Sequence, residues 1–362
     1  MIKIFQVVEC DGADRTGEQV AALCNGLDPA KFQVSLAYAT RSGSPDEFRA
    51  RCPGATAAYH VPEMTREISP ARDAAALRRL RALFSERRPD VVHAHSSKAG
   101  VLARAAAKSA GTGRIFYSPH AYGFLSPDRS AAARALYRAV EKAAARIGTT
   151  IASTPSEAAQ ARALGATSVS VVPDAHLGGF PEPKAHDGLV VGSSGPMTRA
   201  RNPDAWVLLA QRLCDSRNGL ACLWIGGGED EAAARVNLTN MNLLSKVEVT
   251  GALPADAARE RLRGLDVFVH YARAGAGDGS IEDAMACGLP VVASDSAANR
   301  DLVEEGVTGY LVGSEVALLE RCQALLDDDE LRRRLGAAGR ERLRRERAPD
   351  RRLSELSRLY SA

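Results

Sequence analysis

At 362 residues, with 45% hydrophobic and 25% charged side chains, the chain has the length and composition of a globular protein with two cores. A net charge of +3 argues against wholesale nucleic-acid binding, and no apolar run approaches the roughly 20 residues that span a bilayer. The seven cysteines are odd in number, scattered and without a Cys-x-x-Cys pair, which reads as reduced, buried thiols rather than a disulfide framework.

The first element is a strand-like run, "IKIFQVV", with no basic region before it and no cleavage site after it. The expectation is a cytoplasmic protein whose membrane contact, if any, is peripheral at the inner face of the membrane. Further strand-like runs in the first half are "FQVSLAY", "DVVHAH", "RIFYSP", "TTIAST" and "VSVVP". The second half carries "LVVGSSG", "ACLWIGG", "KVEVTG", "VFVHYA" and "LPVVASD". Helix-like stretches such as "GEQVAALCNGL", "AAALRRLRALFSERR", "PDAWVLLAQRLCD" and "ADAARERLRGL" lie between them. Apolar, β-branched strands alternating with helices predict parallel sheets covered by helices on both faces. The pattern occurs twice, split at 177–188 by "LGGFPEPKAHDG", which is rich in Gly and Pro and has no periodicity.

The predicted organisation is α/β, with two Rossmann-like, doubly wound domains facing each other across a cleft. The first domain spans 1–178, the linker 179–188 and the second domain 189–346; a closing helix, 347–362, packs back on the first domain. Pro349 marks the helix break. The ten arginines between 332 and 352 read as a solvated helix face, as does the basic stretch "ALRRLRALFSERR", which would also suit a charged membrane surface.

In such sheets ligands sit beyond the carboxyl ends of the strands, and three loops there carry suitable chemistry. In "ECDGADRTGEQ", Gly12 allows close backbone approach. In "WIGGGEDEAA", Gly226 and Gly227 precede an acidic helix start. In "GAGDGSIEDAMACG", Gly277, Asp278, Gly279 and Ser280 lead into a helix with Glu282 in its first turn, a setting that suits an anion such as a pyrophosphate. Gly288 ends that helix before a short strand. No Gly-x-Gly-x-x-Gly follows the first strand, which weighs against a nicotinamide enzyme. Arg199 and Arg201 in "MTRARNP" are candidates for phosphate contacts, since guanidinium suits bidentate bonding. In the first half, His93 and His95 are read as pointing to opposite faces of their strand and so as a poor metal pair. His95, Ser96 and Lys98 lie near that strand's end, where an acceptor could be touched. Tyr122 and Phe124 read as core or cleft wall.

The order of these segments is more specific than any one of them. "GSSGPMTRARNPD", "CLWIGGGED", "VEVTGALP" and "IEDAMACGLPVVASD…NRDLVEEGVTGYLV" resemble the donor-binding domain of family 4 glycosyltransferases, which have the GT-B fold. "CDGADR", "VVHAHSSKAGVLAR", "YSPHAYGF" and "VSVVPDAH" resemble segments of that family's acceptor-side domain, and "LLDDDELRRRLGAAGRERL" looks like its closing helices. The resemblance runs from near residue 2 to near residue 360.

It implies a retaining transfer of a hexose-type sugar from a nucleoside diphosphate donor, most often UDP, to a glycan or lipid-linked acceptor. Such acceptors belong to the assembly of bacterial surface polysaccharides and glycoconjugates. Attack is on the front face, the leaving phosphate takes the acceptor proton, and no metal is needed. His120 matches the family's active-site histidine, and Glu282 matches the second Glu of its Glu-x7-Glu pair, which accepts from the donor ribose. Leu253 in "VEVTGALP" falls among the donor-binding positions. Arg201 stands where the family has Lys, whereas Pro196 and Ala274 replace the family's Arg and first Glu. Asp278 is a substitute for that Glu if the loop is shortened. Those two departures keep open a catalytically weakened nucleotide-sugar-binding partner subunit, and the fold keeps open a sugar-nucleotide epimerase.

Overall fold

The computed structural model describes residues 1–10, 14–41, 43–125, 129–184, 186–273 and 279–362. Each apolar run singled out above forms a strand, and all the strand pairs are parallel. The first unit comprises Met1–Leu177 and Arg347–Ala362, and the second comprises Gly178–Glu346.

The first unit's strands are β1 (Ile2–Cys10), β2 (Phe32–Thr40), β3 (Ala57–His60), β4 (Val91–His95), β5 (Arg114–Ser118), β6 (Thr149–Ala152) and β7 (Val169–Val171). Its helices are α1 (Arg15–Gly26), α2 (Pro45–Ala50), α3 (Pro70–Arg87), α4 (Ser97–Ser109), α5 (Ala131–Ala144) and α6 (Pro155–Ala163). The sheet order is β3-β2-β1-β4-β5-β6-β7. Alternate residues of β1 enter opposite cores, Phe5 and Val7 one and Ile4 and Val8 the other, because helices cover both faces. Each such buried side chain contributes roughly 1.5–3 kcal/mol. Helix starts are set by short polar side chains; Asp14 Oδ1, for example, accepts from Gly17 N at 2.8 Å to cap α1.

The second unit repeats the plan. Its strands are β8 (Leu189–Ser194), β9 (Leu220–Ile225), β10 (Val247–Val249), β11 (Val267–His270), β12 (Val291–Ser294) and β13 (Gly309–Val312), in the order β10-β9-β8-β11-β12-β13. Around them lie α7 (Pro203–Ser216), α8 (Glu231–Asn240), α9 (Ala255–Leu262), α10 (Ser280–Ala286), α11 (Ala297–Leu302), α12 (Glu315–Asp327) and α13 (Asp329–Glu346). Gly288, at φ +74, closes α10 with a bond from Leu289 N to Ala284 O at 3.0 Å.

Two strands, β3 and β13, are absent from the sequence reading. Each is an edge strand of four residues, too short to show a period, and each takes its form from the neighbour it pairs with. The Gly- and Pro-rich segment before β8 groups with the second unit. Arg340 Nη2 donates to Phe180 O at 2.6 Å and pairs with Glu182 at 2.7 Å, and Lys184 N donates to Arg263 O at 2.8 Å.

The last helix, α14 (Pro349–Ser361), belongs to the first unit, where Leu356 and Tyr360 are fully buried. Its arginines correct the expectation of a wholly solvated basic face. Arg352 is 4% exposed and Arg347 7%, because both turn inward to acceptors at the end of β7. Among the described residues, no helix is long and apolar enough to cross a membrane, and the seven cysteines are buried and form no disulfide.

Candidate active site

Each unit gathers a cluster where its strand order reverses, between β1 and β4 in the first and between β8 and β11 in the second.

In the first unit β4 ends in "VVHAH". His93 and His95 share a side of the sheet, with ring centroids 4.1 Å apart. The expectation of opposite faces fails because a strand repeats its side-chain direction every second residue, so positions i and i+2 share a face. His95 Nε2 lies 2.7 Å from Gln6 Oε1 of β1, across the switch point, and His95 Nδ1 lies 3.0 Å from His120 Nε2. The rings of His95 and His120 stack with centroids 5.3 Å apart. His120 Nδ1 lies 2.8 Å from Asp174 Oδ2, and Arg352 Nη1 lies 2.6 Å from Asp174 Oδ1. Arg347 Nη1 donates to the Asp174 carbonyl at 3.3 Å. Behind this line, His93 bonds Tyr360 of α14 at 2.5 Å and Ser118 of β5 at 2.9 Å.

The electrostatics follow from burial and from these neighbours. Burial pushes His95 well down, and the charges of His93, His120 and Arg352 add to it. Burial also pushes His93 well down, helped by Arg352 and His120. Burial by itself raises the Asp174 carboxyl, but the charges of His120 and Arg352 outweigh it and hold the group well below the usual carboxylate range. Backbone strain concentrates here as well, since Ser96 (φ +67), His120 (φ +53) and Ala121 (φ +127) occupy left-handed or neighbouring regions without being glycine.

The candidate acceptor residues are therefore placed unequally. His95 is fully buried with both nitrogens bonded, so it reaches a ligand only through His120. The Ser96 Oγ is buried without a hydrogen-bond partner among the described residues. Lys98 Nζ is tied to Asp73 of α3 at 2.7 Å. Tyr122 and Phe124 stack on each other in the core at 5.1 Å. The His120 side chain is 5% exposed, and a hydrogen bond from its Nε2 to a ligand requires giving up His95.

In the second unit the cluster is built from backbone. Gly195, at φ +124 just after β8, lies against the Arg201 guanidinium, where a Cβ would collide with it. Gly226, at φ +136 after β9, lies against the Gly195 carbonyl in the same way. Trp224 Nε1 donates to Gly195 O at 3.0 Å, and Met197 N donates to Gly227 O at 2.9 Å, so the two loops are clamped together.

Arg201 Nη1 donates to His270 Nδ1, at the end of β11, at 2.7 Å. Arg can only donate, so that nitrogen is bare and the imidazole is neutral. Burial and then the Arg201 charge push His270 down to about 3, and burial pushes Arg201 down to about 10. Ser280 Oγ lies 3.3 Å from the same His270 nitrogen. Gly279, at φ +87, precedes α10, and Glu282 is 4% exposed in its first turn. Arg199 is exposed in the turn before α7, and Leu253 is 37% exposed in the loop after β10. Gly12, Ala274, Gly277 and Asp278 lie outside the described residues. Among the described residues, no group of three His, Cys, Asp or Glu side chains could hold a metal ion.

The sequence reading missed Asp174, Arg347, Arg352, Gln6, His270 and Arg273. Arg273 joins the two switch-point loops, its Nε donating to Asn202 Oδ1 at 2.7 Å. Asp174 and His270 were findable, since His270 ends β11 and Asp174 stands just beyond β7, both at the carboxyl edge of a sheet where ligands gather. The arginines carry no local mark.

Comparison with known proteins bears on the family and the fold. A family model described as "Glycosyl transferase 4-like domain" matches residues 16–175, and one described as "Glycosyl transferases group 1" matches residues 180–342. The chain is 36% identical over 92 residues, 25% of its length, to the Escherichia coli UDP-Gal:alpha-D-GlcNAc-diphosphoundecaprenol alpha-1,3-galactosyltransferase. It is 32% identical over 154 residues, 42% of its length, to the GDP-mannose-dependent alpha-mannosyltransferase of Mycolicibacterium smegmatis. The matches span 24% and 37% of those relatives' own lengths. The structure of Anabaena HepE, in complex with UDP and glucose, superposes with a TM-score of 0.77 at 14% identity, covering 100% of both chains. The chain therefore belongs to the GT-B glycosyltransferases, as a family 4-like member whose two domains match in the order in which the sequence carries them.

Proposed function

We propose that this chain transfers a hexose-type sugar, with retention of configuration, from a nucleoside diphosphate donor to a glycan or lipid-linked acceptor, and that a UDP-sugar is the favoured donor. The observation that carries the reading is the Arg201 guanidinium, seated against Gly195 at the second unit's switch point. Its bond to neutral His270 fixes its direction without cancelling its charge, and a planar guanidinium matches a phosphate edge. Arg199, exposed on the same turn, supplies a second cation. Glu282 at the start of α10 accepts from the ribose hydroxyls.

Uridine and guanosine diphosphates share this ribose and diphosphate. That is in keeping with one relative named for UDP-galactose, another for GDP-mannose, and a structural neighbour holding UDP. The glycosidic bond to the phosphate oxygen breaks, the acceptor hydroxyl oxygen bonds the sugar carbon, and its proton passes to the departing phosphate. Cationic groups preorganised at that phosphate lower the barrier without a metal ion. His120, in the first unit, contacts the transferred sugar. The reaction belongs to the cytoplasm, with any membrane contact peripheral.

The test is to incubate the protein with UDP- and GDP-hexoses, with and without a lipid-diphosphate saccharide acceptor, in chelator. The expected result is nucleoside diphosphate released one for one with sugar incorporated. Recovery of an isomerised donor without nucleotide release would make the protein an epimerase. Tight nucleotide binding with no release to any acceptor would make it a binding subunit. A strict need for added Mg or Mn would overturn the charge argument.

A further inference from the structure

We infer that Asp174 is the positioning residue for His120 in sugar transfer, and that the chain's closing helix, through Arg352, holds Asp174 in that role. The inference rests on the function proposed above, in which His120 meets the sugar.

A carboxylate only accepts hydrogen bonds, so the 2.8 Å contact with Asp174 Oδ2 keeps the proton on His120 Nδ1. The other ring nitrogen, Nε2, faces His95 Nδ1 at 3.0 Å. Nε2 is thus the nitrogen that exchanges between a protein partner and a sugar, while Nδ1 stays anchored and the ring keeps its plane. An anchored ring also supports the strained backbone at His120 and Ala121 (φ +53 and +127), which persists only where its surroundings over-determine it.

Asp174 cannot hold this position alone. It is 7% exposed, and its Oδ1 meets Arg352 at 2.6 Å. Arg352 Nη1 also donates to Pro173 O at 2.8 Å, and Arg347 donates to the Asp174 carbonyl. Gln19 brackets the next residue, with Nε2 to Ala175 O at 2.6 Å and Oε1 accepting from Ala175 N at 3.0 Å. The strand-end segment is therefore gripped from α1 and from α14. The titratable and charged groups around the pair are Arg15 of α1, His93 and His95 of β4, Glu157 of α6, and Arg347 and Arg352. All of them remain when Asp174 alone is changed.

The experiment compares Asp174→Asn, Arg352→Met, Arg352→Lys and His120→Ala in the transfer assay. Unfolding midpoints and nucleoside diphosphate titrations are run alongside. Asp174→Asn should lower kcat by a factor on the order of 10² with KM and nucleotide affinity nearly unchanged. Arg352→Met should lower kcat by about tenfold, again with KM and nucleotide affinity nearly unchanged, and Arg352→Lys should recover most of that loss. If Asp174→Asn does not fold, the two Arg352 variants carry the same comparison. Wild-type kcat in Asp174→Asn or Arg352→Met, with His120→Ala impaired, would overturn the positioning role. Unimpaired transfer by His120→Ala would instead overturn the role of His120 itself.

Discussion

In the first unit the strand ends are tied together by side chains: Gln6, His95, His120, Asp174 and Arg352 bond one to the next. In the second they are tied by main chain, with Gly195, Gly226 and Gly227 bringing two loops into backbone contact and one arginine laid against them. Both clusters stand at the same topological place, yet they should fail differently. A line of ionisable groups in a low-dielectric interior depends on protonation and on each partner being present. A backbone cradle depends on them only through the Arg201–His270 bond, but has no room for a single Cβ. On the proposed function, the second arrangement would hold a diphosphate and ribose common to many donors, and the first would meet the sugar that differs between them.

The contrast can be broken most forcefully at Gly226. Gly226→Ala places a Cβ against the Gly195 carbonyl at φ +136, and strain plus overpacking should cost on the order of 3–5 kcal/mol of stability. Chemical denaturation with a wild-type midpoint would show that the loops can separate and that the cradle is not backbone-bound. Next in size is Glu282→Ala, which should lose roughly 1.5–3 kcal/mol of nucleotide affinity, as for hydrogen bonds to a charged group. Calorimetry with uridine diphosphate reads it, and unchanged binding would leave Glu282 a helix-capping charge. His120→Ala should leave that affinity intact, which keeps the two clusters' roles separate.

The smallest effect is the pH dependence. His93 and His95 in the first unit and His270 in the second are all held below the ordinary histidine value of 6.5. The unfolded chain therefore takes up their protons first. Stability is full above about pH 6.5 and is lost as pH falls below it, by roughly 1 kcal/mol per histidine over the first pH unit. Two histidines against one should make the first unit the more acid-sensitive, by roughly 1 kcal/mol less what Glu9 and Glu157 return. Burial raises those two carboxyls, so they bind protons in the folded state. Hydrogen exchange at β4 and β11 between pH 7 and 5.5 measures the difference, and equal loss of protection would contradict it.

The strands, the doubly wound plan and the loops to search were legible because each is written in a short stretch of chain. A β-branched run such as "IKIFQVV" becomes a strand from its own residues, and Gly288 ends α10 from its own φ. The pairing of His93 with His95 was legible too and was misread, since strand periodicity alone puts them on one face. By contrast, nothing near Arg352 distinguishes it from the nine other arginines between 332 and 352. Its acceptors at Val172 and Pro173 are 180 and 179 residues away in sequence, and His93 is 267 residues from Tyr360. Local backbone preference is set by neighbours along the chain, and so the sequence by itself determined the elements and the edge on which the chemistry gathers. Which polar groups meet there was decided only when the closing helix returned to the first unit. A buried charge must find its counter-charge wherever the packed chain brings one, and that partner leaves no mark in the residues beside it.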